Sequence, residues 1–241
     1  MKFGNTNIGG MSFGSTKIGG AKLGNTLVYQ QGGEPAVPTF VDYIETDGVA
    51  YINTGIKGNA PRSMKLNLLP VAPASGNSYV FACRKDSGNT RFSFLIITSD
   101  KKAGMAYGQG VFTSDIDVSA SCDNGTFMIV QSILAAADQK IYVKQNGESS
   151  YTSKSHTQSG TITTATDIVL FGLNNYGTVS ACEAGTRVKT CKIYSDKTWT
   201  TLLFDGEACY YNGEYGLWDR VTDTFKGNAA GSGAFTGPSI E

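Results

Sequence analysis

Histidine is almost missing from this chain: His156 is the single one in 241 residues. It lies in "SKSHTQSG", a polar, turn-rich stretch with nothing to pack it. A Ser–His–Asp triad needs an imidazole that is held and oriented, so nucleophilic catalysis of that kind is not expected. Zinc is excluded by the same shortage, because one histidine and scattered cysteines give no tetrahedral ligand spacing. The five cysteines (Cys83, Cys122, Cys182, Cys191 and Cys209) are an odd set without a CxxC pair. A disulfide or a metal site is the functional alternative. The expectation is isolated, buried free thiols in a protein made in a reducing cytosol.

Charge is scarce too. Lys plus Arg and Asp plus Glu number 20 each, for a formal net charge of zero, and charged residues are only 17% of the chain. There is no basic stripe to neutralise phosphates, so no nucleic acid partner is expected. No apolar run approaches the ~20 residues of a membrane helix. The N-terminus lacks the apolar core of a secretory signal, so no membrane partner and no signal peptide are expected.

What the chain does have is glycine, 30 residues of it, with abundant Ser, Thr and Asn. Glycine weakens helix interiors by about 1 kcal/mol each, and this mixture suits short strands joined by many turns. Strands are expected near 39–45, 49–54, 63–71, 78–83, 91–98, 126–131, 139–144, 167–172, 187–195 and 200–204. Several alternate with period 2. In "SMKLNLLPV", Met64, Leu66 and Leu68 face one way, and Lys65 and Asn67 the other. In "KIYVKQ", Ile141 and Val143 alternate with Tyr142 and Lys144; in "TCKIYS", Cys191 and Ile193 alternate with Lys192 and Tyr194. The lysine faces are expected to be wet. "FSFLIIT" and "DIVLF" are apolar on both sides and are expected centrally, in a sheet packed from both faces.

Turn signals separate these runs: Asp86-Ser87-Gly88-Asn89, Asp123-Asn124-Gly125, Gln145-Asn146-Gly147 and Tyr211-Asn212-Gly213. Asn-Gly is the strongest short hairpin signal. Only "SILAAADQ" (132–139) has real helix propensity, for one turn or two. The fold class is therefore all-β, an antiparallel two-sheet sandwich or jelly roll over residues 39–241.

Ahead of it stands a repeat. Residues 3–8, 13–18 and 23–28 read FGNTNI, FGSTKI and LGNTLV, a unit returning every ten residues. Residues 1–33 form this repeat zone, and residues 34–38, "EPAVP", form a stiff linker in which both prolines fix φ. Each unit offers two apolar side chains about a Gly-Asn/Ser turn, which glycine's freedom at positive φ permits. A meander of very short strands is expected. One arm cannot bury Phe3, Ile8, Phe13, Ile18, Leu23 and Val28 against itself. Short repeats gain a core only by stacking on neighbours, so these six residues are the expected oligomerisation and anchoring contacts, a trimer above all. The alternative, a flexible leader, is disfavoured by apolar residues at fixed period.

Three stretches carry a resemblance. "FVDYIETDGVAYINTGIKGN" (40–59) resembles the opening signature of a concanavalin A-like, LamG-type jelly roll. "KTCKIYSDKTW" (189–199) resembles its penultimate block, and "YGLWDRVTDTFKGNAAGSGAFTG" (215–237) its closing block. Trp218 departs from the tyrosine usual in that block. The repeats resemble "LGNT-x-V" units that precede such jelly rolls in structural proteins of tailed phages of gut Bacteroidales, including crAss-like phages. The resemblance implies a virion protein, a head fibre or a tail component, assembled in the host cytoplasm with capsid or tail partners. It also implies that the opening block packs near the closing one.

Some jelly rolls of this superfamily are glycoside hydrolases, which need two carboxylates facing one sugar bond. Their E-x-D-x-E pattern is absent here. Asp115-Ile116-Asp117 is the nearest approach, and it reads as a solvated strand end, so no enzyme activity is expected. No cofactor is expected either. LamG-type domains often hold a structural calcium ion, for which Asp86, Asn89, Asp123 and Asn124 are candidates by type; turn chemistry accounts for them better. Cell-surface glycan binding would use an exposed aromatic with polar neighbours. Trp199, Tyr107 and Tyr210 are the candidates, with Tyr211 beside them, and core packing is the competing fate of each.

Overall fold

Very short strands paired two by two are what a ten-residue repeat with a glycine in each unit leads one to expect. The computed structural model shows this at the N-terminus. It describes residues 37–84, 90–109 and 112–240, with the backbone alone of residues 109 and 112–115 and of six short strands before residue 31. Strands β1 (Lys2–Phe3) and β2 (Thr6–Asn7) pair antiparallel, as do β3 (Ser12–Phe13) with β4 (Thr16–Lys17) and β5 (Gly20–Leu23) with β6 (Thr26–Gln30). The register Phe3↔Thr6, Phe13↔Thr16 and Leu23↔Thr26 repeats with the sequence. Ile8, Ile18 and the side chains of Phe3, Phe13, Leu23 and Val28 lie outside the described residues. The chain divides into two compact units, Met1–Val37 and Pro38–Glu241.

The second unit is all-β: helix supplies 3% of the structure and strand 55%. In chain order its strands are β7 (Thr39–Phe40), β8 (Ile44–Thr46), β9 (Ile52–Lys57), β10 (Arg62–Leu69), β11 (Asn77–Arg84), β12 (Thr90–Thr98), β13 (Lys102–Gln109) and β14 (Phe112–Asp117). After a short helix α1 (Ser119–Asn124) come β15 (Met128–Ala135), β16 (Asp138–Lys144), β17 (Thr152–His156), β18 (Asp167–Leu170), β19 (Gly172–Asn175) and β20 (Thr178–Ala181). The last are β21 (Arg187–Tyr194), β22 (Leu202–Tyr211), β23 (Glu214–Asp219), β24 (Thr224–Lys226) and β25 (Phe235–Thr236).

The larger sheet runs β17-β16-β15-β10-β21-β22-β23-β24, with β7, β8 and β25 added along it. The smaller runs β14-β13-β12-β11-β19-β20, antiparallel except for β11 with β19. Alternation explains the layers. Met64, Leu66, Leu68, Val130, Ile141, Val143, Cys191 and Ile193 turn inward and are buried. They meet Phe81, Phe92, Phe94 and Leu95 from the smaller sheet in one core. Ser132 Oγ donates to the Phe94 carbonyl across it, at 2.8 Å. Strand β12 holds "FSFLIIT", buried from Phe92 to Thr98 and internal to its sheet.

The opening and closing blocks meet, as expected: β25 pairs with β8, and Asp47 accepts the backbone N–H of Val49, Ala50 and Ala234.

Some expectations are corrected. "SILAAADQ" is not helical; it completes β15, turns at Ala136-Ala137 and starts β16. Inward Ser132, Leu134 and Gln139 decide this, since tertiary burial outweighs alanine's propensity. Gln139 is 1% exposed, and its amide meets the Ala135 and Gln158 carbonyls while accepting the Gln158 N–H. Asp123-Asn124-Gly125 is not a hairpin turn; it ends α1, with Gly125 left-handed at φ 59°. The strands β13, β14, β17, β20, β23, β24 and β25 were not anticipated. Tyr211-Asn212-Gly213 does form the β22–β23 hairpin, with φ of 51° and 90° at its two turn residues.

Candidate functional site

The larger sheet has one face in the core and one in solvent. Reading register partners across the solvent face gives a continuous row: Ser153 opposite Tyr142, Tyr142 opposite Gln131, Gln131 opposite Lys65, Lys65 opposite Lys192, and Lys192 opposite Asp205. At the ~4.8 Å spacing of neighbouring strands this row is roughly 24 Å long. Tyr142, Gln131, Lys65, Lys192 and Asp205 are all partly exposed, while the residues flanking Lys65 on β10, Met64 and Leu66, are buried.

The β21–β22 connection folds over this row and places Trp199 on it. The Trp199 ring stands 6.2 Å from the Tyr142 ring, edge to face, and the Tyr151 ring stands 6.4 Å from that of Tyr142. Gln131 Nε2 donates to the Tyr151 hydroxyl at 3.2 Å. Lys65 Nζ lies 5.2 Å from the Trp199 ring and 5.7 Å from that of Tyr194, and Lys140 Nζ lies 4.8 Å from that of Tyr142. Such cation–π contacts contribute about 0.5–1 kcal/mol each at exposed positions. The result is a shallow platform of aromatic rings with ammonium and amide groups between them.

Asp196 holds the loop. Its carboxylate accepts from the backbone N–H of Thr198, Thr200 and Thr201, at 2.8–3.1 Å, and from the hydroxyls of Thr198 and Thr200, both at 2.9 Å. Its desolvation works against ionisation, but these donors together hold the carboxyl well below the usual carboxylate range. The loop is anchored below by Ser63 Oγ, which donates to the Asp196 carbonyl at 2.6 Å, and sideways by the Lys197–Asp138 ion pair at 3.0 Å. So constrained, Trp199 adopts φ +56°, a left-handed conformation that is strained for a bulky residue. Such strain costs of order 1–3 kcal/mol and persists only where the surroundings over-determine it. A cleft of about 280 Å³ opens beside the loop, between Pro61, Ala135, Ala136 and Lys197–Thr198.

The structure separates the three aromatic candidates. Trp199 is half-buried on the outer face, with its rings' neighbours around it. Tyr107 is no platform: it is 2% exposed, packs against Phe92, and donates its hydroxyl to the Gly160 carbonyl at 2.8 Å. Burial pushes its phenol pKa up. Tyr210 lies on the opposite side of β22 from Tyr211 and packs on Tyr215, 5.0 Å away. Tyr211 does face outward, in a second cluster with Trp218 and Phe225, both at 5.3 Å. There the Trp218 indole donates to Asp223 at 3.0 Å, a bond that a tyrosine would not make in the same way.

Where they are described, the other sequence candidates have partners of their own. Asp117 accepts the Ser119 N–H, and the side chain of Asp115 lies outside the described residues. The cleft beside Asp117, about 420 Å³, includes Glu148, which is committed to the Gln145 N–H. Asp123 pairs with Lys101, while Asp86 and Asn89 lie outside the described residues. Among the described residues no group of three or more His, Cys, Asp or Glu could hold a metal ion. His156 ends edge strand β17, opposite Gln139, with its Nε2 enclosed. All five cysteines are free. Burial pushes the thiols of Cys83, Cys182 and Cys209 up to about 12 and that of Cys122 up to about 11, so none is a ready nucleophile.

Sequence reasoning missed Tyr151, Tyr194, Lys140 and Asp196 as members of one site. The spacing of Asp196 before Thr198, Thr200 and Thr201 was the readable signal for a side chain that closes its own turn.

No protein-family description matches the chain, and no curated protein matches it. Solved structures do resemble it. Domains LG4-5 of the mouse laminin alpha1 chain match at 17% identity and a TM-score of 0.45, over 66% of this chain and 41% of that one. Full-length tailspike protein 2 of an Escherichia coli bacteriophage matches at 10% identity and a TM-score of 0.44, over 67% of this chain and 24% of that one. A heptameric SAP-like pentraxin from Limulus polyphemus matches at 12% identity and a TM-score of 0.38, over 68% and 73%. The match thus spans less than half the length of the laminin and tailspike chains.

Proposed function

We propose that this chain is a virion structural protein of a tailed phage, a head fibre or tail-associated component, which presents the outer face of its larger sheet to a cell-surface glycan. One observation carries the glycan reading: Trp199 is held in a strained conformation on a sheet face, beside Tyr142 and Tyr151 and among amide and ammonium donors. Sugar rings present C–H faces to aromatic rings and hydroxyls to such donors, so this mixture suits them. The virion part rests on the repeat arm and on the jelly-roll signature blocks. The arm is proposed to trimerise the chain and attach it to the capsid or tail, because isolated two-stranded hairpins are at best marginally stable. No hydrolytic role is proposed.

A glycan array probed with the full chain tests the first part. Binding to at least one glycan is expected, and its loss in Trp199→Ala or Tyr142→Ala. An array with no signal overturns the glycan reading. Phe13→Asp with Ile18→Asp tests the arm. The doubly substituted chain is expected to lose oligomer by light scattering and to leave the particle. Unchanged mass and incorporation would remove that role.

A further inference from the structure

The chain is neutral overall, yet the platform is not. The outward positions of β16, β10 and β21 carry Lys140, Lys144, Lys65 and Lys192. Of these only Lys192 has a carboxylate partner, Asp205 at 2.8 Å. Asp138, at the corner of the same patch, is taken by Lys197. Among the described residues, no ion pair uses Lys65, Lys140 or Lys144. Moreover Lys65 stands directly opposite Lys192 in the register, and like charges so placed destabilise a sheet. The two lysines that touch the aromatic rings, Lys65 on Trp199 and Lys140 on Tyr142, therefore hold unneutralised charge where a ligand would lie.

We infer that the glycan this face accepts is anionic, bearing a carboxylate or sulfate that Lys65 and Lys140 take while Tyr142 and Trp199 pack on the sugar ring. The inference rests on the glycan reading above and adds the ligand's charge to it. An ammonium is a compact point charge on a flexible stem. It serves either anion, and the neighbouring rings supply the contact that a lone anion would not make. Bringing an anion here also relieves the repulsion between Lys65 and Lys192.

The test uses the full chain on an array of matched pairs. Each pair holds one oligosaccharide carrying a uronic acid, a sialic acid or a sulfate ester, and its neutral counterpart with that group reduced or removed. The acidic members are expected to bind roughly tenfold more tightly than their neutral partners at low salt. The advantage should shrink in about 0.5 M salt, where exposed charges are screened within a few ångströms. Lys65→Gln with Lys140→Gln should abolish the acidic advantage, so that the two members of each pair bind the variant alike within about twofold. The carboxylate and sulfate arms show which anion is taken. Equal binding within pairs, or a preference that survives the double substitution, overturns the inference while leaving the glycan reading in place. No signal from any member removes both. A dimer that light scattering shows in the parent chain and not in the double variant, without array signal, would assign the face to a second copy instead and also overturns it.

Discussion

The two faces of the larger sheet are made by the same strands, one residue apart, and they do opposite things. On β10, Met64, Leu66 and Leu68 are at most 1% exposed, while Lys65 and Asn67 between them reach solvent. On β16, Ile141 and Val143 lie in the core, and Lys140, Tyr142 and Lys144 look out. The inner face is closed by volume: the Phe94 ring packs 5.4 Å from that of Phe81, tilted, and 5.3 Å from that of Phe92, edge to face. The outer face is covered in part by the β21–β22 loop, and its aromatic rings are held by hydrogen bonds and cations instead. In such a sandwich, burial of the inward residues drives folding and leaves the outward ones free for contact.

That comparison can be broken most severely from within. Leu66→Ala should cost about 2–5 kcal/mol, the usual range for emptying a buried leucine site. Lys65→Ala, one residue away, should cost no more than about 1 kcal/mol, because the loss of its two cation–π contacts is partly offset by relief of its repulsion with Lys192. Denaturant midpoints of the two variants measure this directly. Similar losses would mean that the outer face supports the fold after all.

Gly216 should be the next most sensitive position. A Cβ there would lie 2.5 Å from the Lys226 carbonyl oxygen and 2.6 Å from the Phe225 ring. Gly216→Ala should therefore lower the melting temperature and disturb the Tyr211–Trp218–Phe225 cluster. Trp218 fluorescence and a thermal scan check both.

A smaller effect belongs to Asp196. Its folded-state pKa is depressed, so it favours the folded loop at pH above the ordinary carboxylate value of about 3.9. That contribution is lost as the pH falls below this value and through the lower folded one. Trp199 emission should change in that acid range, and Asp196→Asn should remove the change. A transition unaltered in Asp196→Asn would assign it to other carboxylates.

The smallest effect expected concerns the thiols. Unfolded protein without reductant should take up five alkyl groups per chain, matching the five free cysteines, and folded protein should react slowly, since four are buried. Mass spectrometry counts them.

Much of the inner face was legible because alternation states it outright: "KLNLL" and "KIYVK" give their buried sides residue by residue. The meeting of β8 with β25 was legible through the resemblance of the chain's two ends. The helix expected at 132–139 failed because alanine propensity is weak beside the burial of Ser132, Leu134 and Gln139. Tyr107 failed as a platform because a single aromatic carries no sign of which face it takes until the sheet order is known. The site itself was half legible. Trp199 and the outward Tyr142 could be read from local pattern. Their meeting could not, because it depends on the register across β16, β15 and β10 and on a loop from β21 laid over them.

The chain's two tryptophans, Trp199 and Trp218, allow the central claim to be tested at one residue. Trp218→Tyr leaves Trp199 as the single indole. Titrating that variant with a glycan found to bind the full chain should give a saturable change in Trp199 emission, with the same midpoint as binding. A glycan that binds with the same affinity and leaves Trp199 emission unchanged would contradict the assignment of this face as the binding site.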